Sequence, residues 1–123
     1  MQKPVILITL AVMLLFPSCE NSHTWLKVKM PTNGEVFNAP EVIEIKADMA
    51  DPDFLYYATL VVTKTNNTRD TIINSRIDKP VERDNVFHLT DSFASGPATQ
   101  YKIVVYANGV NGSASDTIFV STN

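Results

Sequence analysis

Tyr101-Lys102-Ile103-Val104-Val105-Tyr106-Ala107 is the stretch whose period decides the fold. Alternate residues of an extended chain point to opposite faces. Tyr101, Ile103, Val105 and Ala107 therefore share one face, and Lys102, Val104, Tyr106 and Asn108 share the other. The β-branched content favours a strand over a helix of the same length. Asn108-Gly109-Val110-Asn111-Gly112 follows as a tight, glycine-permitted connection, and Thr117–Thr122 reads as the closing strand.

Working back from there, the same period recurs. Leu26, Val28 and Met30 alternate with Lys27 and Lys29, and Pro31-Thr32-Asn33-Gly34 is a turn. After Pro40, the residues Ile43, Ile45, Ala47 and Met49 alternate with Glu44, Lys46 and Asp48. Leu55–Lys64 places Ala58, Leu60 and Val62 on one face, with Tyr57, Thr59, Val61 and Thr63 on the other. Shorter strands are expected at Thr71–Ser75 and Val86–Thr90, separated by the charged stretch 76–85. No segment after Trp25 keeps a helical period. About seven short strands in roughly 100 residues predict an antiparallel two-layer sandwich. Its core is expected to hold Ile43, Ile45, Ala58, Leu60, Val62, Ile103 and Val105, because each sheet buries alternate residues.

The front of the chain is of another kind. Val5–Phe16 is an apolar run broken only by Thr9, and Lys3 precedes it. That length suits the core of a signal peptide and falls short of a membrane-spanning helix of about 20 residues. Pro17 and Ser18 end the run, and Cys19 follows as the only cysteine of the chain. Leu14-Leu15-Phe16-Pro17-Ser18-Cys19-Glu20 resembles a bacterial lipoprotein signal of the Bacteroidetes type. Phe16 and Ser18 stand where that pattern usually has Leu and Ala or Gly. The resemblance implies a signal peptide over 1–18, a lipidated tether over 19–24 beginning at Cys19, and a domain over 25–123. It further implies an outer membrane lipoprotein, on the cell surface or the periplasmic face.

Met30-Pro31-Thr32-Asn33-Gly34, Ala39-Pro40 and Ile43-Glu44-Ile45-Lys46-Ala47 resemble the opening of bacterial immunoglobulin-like repeats. Tyr101–Gly109 resembles the late strand shared by immunoglobulin-like and fibronectin type III domains. Tyr101 stands where such domains often hold a corner tyrosine, whose hydroxyl bonds to the backbone across a connection. The likeness implies an all-β, antiparallel two-sheet immunoglobulin-like sandwich of about seven strands. The chain departs from the antibody type, with no cysteine pair between sheets and no tryptophan on the third strand.

Composition narrows the chemistry. The chain has 10 Lys+Arg and 13 Asp+Glu, and Lys3 is the one charge ahead of Cys19, so the remainder carries −4. An acidic domain without clustered basic residues is unsuited to nucleic acid. The two histidines, His23 and His88, have no second histidine or cysteine spaced to form a zinc site. Asp48, Asp51 and Asp53, with Glu41 and Glu44 upstream, are weak calcium candidates, since no Gly-containing ligand loop accompanies them; a solvated turn with local Asx hydrogen bonds is the favoured reading, and no metal is expected. No cofactor is expected. There is no nucleophile-elbow motif, and a domain this small has little room for a deep pocket, so no enzyme is expected.

Asp70-Thr71-Ile72 and Asp116-Thr117-Ile118 repeat one tripeptide, which resembles an O-glycosylation acceptor of exported Bacteroidetes proteins, with Thr71 and Thr117 as acceptors. Val104 and Tyr106 are large and apolar on a face that is ordinarily polar. With Tyr57 and Val61 on a neighbouring strand, they form the candidate partner surface. The expected function is a membrane-anchored, non-catalytic binding or structural module of the cell envelope, contacting an envelope protein or polysaccharide. The alternative is a carbohydrate-binding accessory lipoprotein using Trp25, Tyr56, Tyr57 and Tyr106.

Overall fold

The computed structural model describes residues 22–123, without the side chains of 67–69. Cys19 and the expected signal lie outside the described residues. Eight strands follow one another: β1 (Trp25–Met30), β2 (Val36–Phe37), β3 (Val42–Ala50), β4 (Leu55–Lys64), β5 (Asn67–Asp78), β6 (Phe87–Ala94), β7 (Gln100–Gly109) and β8 (Gly112–Thr122). They form a three-stranded sheet of order β1-β3-β6 and a five-stranded sheet of order β2-β8-β7-β4-β5.

The core lies between the sheets. β3 contributes Ile43, Ile45, Ala47 and Met49; β4 Ala58, Leu60 and Val62; β7 Tyr101, Ile103, Val105 and Ala107. Leu89 and Phe93 of β6 and Ile118 and Val120 of β8 complete it. All seven residues expected in the core are at most 1% exposed. The alternation that named them is the pleat itself, with Glu44 and Lys46 of β3 on the solvent side.

The structure differs from the sequence reading in several places: β6 runs on to Ala94 and β8 begins already at Gly112, and three further differences bear on the site. β2 was not anticipated, because two residues carry no period. It runs parallel to β8, with Val36 opposite Ser121 and Phe37 opposite Thr122, so the sheets are mostly rather than wholly antiparallel. The preceding turn carries the chain across, where Gly34 N–H donates to Phe119 C=O and Asn33 Oδ1 accepts from Phe119 N–H. β5 extends beyond Thr71–Ser75 to Asp78, since Arg76 and Asp78 lie on the solvent face, opposite Thr59 and Tyr57 of β4. Thr24, read as the last residue of the tether, is buried: its hydroxyl donates to Asp51 Oδ2 at 2.6 Å and lies 2.9 Å from Gly112 C=O.

Candidate functional site

The outer face of the five-stranded sheet gathers the candidate surface. β4 and β7 pair antiparallel with Val61 opposite Val104 and Thr59 opposite Tyr106. Tyr57 lies one pair further along, opposite Asn108, so its ring meets Tyr106 diagonally. The two ring centroids are 5.9 Å apart with planes tilted by 35°. Tyr57, Val61, Val104 and Tyr106 are all half-buried in a sheet face that no other strand among the described residues covers.

Arg76 completes the cluster. Its guanidinium carbon sits 3.9 Å from the Tyr57 ring centroid, a cation–π contact, and its Nε donates to Asp78 Oδ1 at 2.8 Å. That carboxylate holds the arginine still more firmly in its charged form. Hydrogen bonds from Ser113, Asn108 and Tyr57 to the Tyr106 oxygen lower the pKa of that phenol. Tyr57 is raised, first by donating to Tyr106 and then by desolvation. Around this centre stand Asn74, Thr59, Thr63, Ser113, Ser115 and Thr117, which share the face by register. Arg76, Asp78 and Ser113 are members that the sequence reading missed. The alternation Asn74, Arg76, Asp78 was the available signal, obscured because the charges made the segment look like a loop.

The other candidates lie elsewhere. Asp51 is a buried hub at one end of the sandwich, where it accepts five hydrogen bonds: from the Thr24 hydroxyl, the Asp53 and Phe54 N–H groups, and the Asn111 N–H and side-chain amide. Burial alone would raise its pKa, but these donors outweigh that and hold the carboxyl well below its ordinary range. Asp53 accepts from Asn111 Nδ2 at 2.8 Å. Asp48 faces outward from the small sheet, 2.6 Å from His88 Nδ1 and 3.6 Å from Lys29 Nζ. Among the described residues, no three His, Cys, Asp or Glu side chains gather in a way that could hold a metal ion.

Trp25 lines an open cleft beside Asp51, Pro52, Asp53, Glu82 and Val86. Tyr56 is exposed and packs edge-to-face on Phe54 at 5.7 Å. Of the four aromatics weighed as a sugar platform, Tyr57 and Tyr106 are therefore the pair in ring contact. Thr71 and Thr117 are exposed, on β5 and β8. No helix among the described residues is long and apolar enough to cross a membrane.

No protein-family model matches the sequence, and no curated protein matches it. Among solved structures, the chain is similar to a superoxide reductase (neelaredoxin) from Ignicoccus hospitalis. The TM-score is 0.57 at 12% identity, over 88% of this chain and 86% of that one. At that identity the likeness shows the fold alone.

Two expectations are corrected by it. The structural likeness is to a superoxide reductase, not to an immunoglobulin-like or fibronectin type III-like lipoprotein domain. Strict alternation, a Pro-Gly turn and a corner tyrosine are demands of a two-sheet sandwich and do not single out one family. The expectation that the chain is not an enzyme is also overturned, since it leaned on the small size of the domain. A similar sandwich of comparable extent carries an enzyme.

Proposed function

We propose that this chain is a binding module held at the outer membrane by lipid on Cys19, contacting an envelope protein through the outer face of the five-stranded sheet. The observation that carries this reading is the Tyr57–Tyr106 pair, capped by Arg76 and flanked by the opposed Val61 and Val104. Tyrosine and arginine are enriched at binding hot spots, where a desolvated centre is ringed by polar residues. Here the ring is supplied by Asn, Ser and Thr from β4, β5, β7 and β8. Tilted rings, one of them covered by a guanidinium, offer a poor flat platform for a sugar, and this favours a protein over a polysaccharide.

The test is photo-crosslinking from Thr59, inside the patch, in cells making the full chain, followed by the double substitution Val104→Lys with Tyr106→Lys. A crosslinked envelope protein that is lost in the folded double variant supports the reading. Capture that is unchanged in that variant moves the contact to another surface, and crosslinks to polysaccharide alone select the carbohydrate alternative.

A further inference from the structure

A sheet edge presents unpaired N–H and C=O groups, and soluble domains guard such edges. Among the described residues, three of the four sheet edges are guarded. β2 has two residues. β1 carries Lys27 and Lys29 and an irregularity between Val28 and Met30. β6 turns Asp91 toward the core side, opposite Ile45. β5 is the fourth edge and, at 12 residues, the longest strand. It contains no proline and no lysine; its irregularity against β4 and the charges Arg69 and Asp70 lie at its beginning, and in the regular stretch 73–78 the two charges, Arg76 and Asp78, pair with each other.

Its free backbone can be located. Lys79 N–H donates inward to Tyr56 C=O of β4. Backbone direction alternates along a strand, so the N–H and C=O of Asn74, Arg76 and Asp78 point away from β4. On the core side of the same stretch lie Ile73, Ser75 and Ile77, opposite Val62, Leu60 and Ala58. Ile77 remains 38% exposed, because the small sheet does not reach over β5.

The sequence of this edge is close to its own mirror image: Ile73-Asn74-Ser75-Arg76-Ile77 reads apolar, polar, small, polar, apolar. We propose that β5 is a self-association edge whose occupant is a second copy of this chain, paired antiparallel about a two-fold axis at Ser75. The outward backbone groups at the centre of the strand, those of Asn74 and Arg76, then find their complements. Asn74 exchanges both hydrogen bonds with the partner's Arg76, and Arg76 with the partner's Asn74. The side-chain carbonyl of Asn74 faces a guanidinium across the seam, and no like charges stand directly opposite. On the underside, Ile73 meets the partner's Ile77 at both ends, covering the exposed isoleucine. Small Ser75 meets itself where strands come closest.

Other axes are less suited: one at Asn74 sets Arg76 against Ile72 in the irregularity and leaves Ile77 without an apolar partner. An axis at Ile77 runs out of strand after Asp78. An axis at Ile73 sets Asn74 against Ile72, inside the irregularity that faces Val62 and Thr63. Axes at Arg76 or Asp78 oppose like charges. This pairing does not rest on the proposed contact surface, although it borders it through Asn74 and Arg76 and would make the outer faces of two copies continuous.

Single cysteines at 74, 75 and 76 in the full chain, oxidised in membranes, test it; native Cys19 contributes equally to all three. Ser75→Cys places two Cα atoms about 4.5 Å apart, within disulfide reach. Asn74→Cys and Arg76→Cys stand roughly 8–9 Å from their own copies. The expected result is covalent dimer at 75 at least about fivefold above 74 and 76, given the steep distance dependence of the bond. Adding Asn74→Lys, which sets like charges across the seam, should remove that dimer. Adding Arg76→Glu as well should restore it. Equal or absent dimer at all three positions overturns the proposal, and so does a product at 75 whose mass is that of a different protein.

Discussion

Asp51 shows how much one residue can organise. Its oxygens draw in Thr24 from 27 residues earlier and Asn111 from 60 later, so it ties the start of the domain to the β7–β8 connection. Gly109 is part of the same arrangement: a Cβ there would lie 2.5 Å from Asp51 Oδ2. Gly109→Ala should therefore lower stability by about 1–3 kcal/mol through steric displacement, read as a lower urea midpoint. A depressed carboxylate pKa stabilises the fold fully above the ordinary value of 3.8, and this is lost as pH falls below it. Asp51→Asn lacks that titration. Its deficit against the parent chain should be largest near about pH 6 and shrink toward about pH 2.5, by urea unfolding at each pH. A gap that stays constant would show that the carboxylate charge does not matter. Tyr101 is the other decisive residue. Its hydroxyl accepts from Gly96 N–H at 2.8 Å while its ring packs on Phe93. The expected corner hydrogen bond is thus present. Tyr101→Phe should cost about 1–3 kcal/mol by leaving the part-buried Gly96 N–H unpaired, and an unchanged urea midpoint would contradict this.

Among the elements, β4 and β7 show the clearest division of labour. Their inner residues, Ala58, Leu60 and Val62 on β4 and Tyr101, Ile103, Val105 and Ala107 on β7, are buried, and the residues between them are half-buried apart from exposed Lys102. Adjacent positions on β7 should therefore respond very differently. Ile103→Ala should cost about 2–5 kcal/mol, as large-to-small core changes do. Val104→Thr, one residue on, should stay within about 1 kcal/mol, because it removes little buried surface. Comparable losses at both positions would mean that the outer face is covered in solution, as pairing with another molecule would produce. Legibility followed the same division. Leu55–Lys64 is readable at both ends, because the period-two run from Tyr57 to Thr63 is framed by an Asp-Pro-Asp loop and an Asn-Asn turn. β5 extends past Ser75 against the sequence reading, because the charges of Arg76 and Asp78, which face solvent, make the end of the strand look like a loop. β2 left no trace, since its two residues owe their conformation to β8.

For the whole molecule, the polar segment ahead of the domain is shorter than it looked. Thr24 is clamped into the end of the sandwich, so any tether from Cys19 ends at His23. If Cys19 carries lipid, Cys19→Ala should abolish acyl labelling and move the chain from the membrane to the soluble fraction. Recovery of unmodified parent chain in the soluble fraction would refute the anchor. Local sequence was sufficient for whatever depends on neighbours along the chain. Period two is a local property, so the all-β class, the seven core residues and the turn positions could be read without coordinates. The proximity of Val61 to Val104 and Tyr106 could also be anticipated, given two strands side by side. What required the tertiary structure were relations between distant residues with no repeating signal. Arg76 over Tyr57 depends on the β4–β5 register, which an irregularity at Val62 and Thr63 adjusts. Asp51, read as one acid of a solvated loop, became a buried anchor only when Thr24 and Asn111 converged on it. The reason is physical: burial and hydrogen-bond partners are set by which segments the packed sheets bring together, and a single acidic residue looks the same in sequence whether water or five protein donors will solvate it.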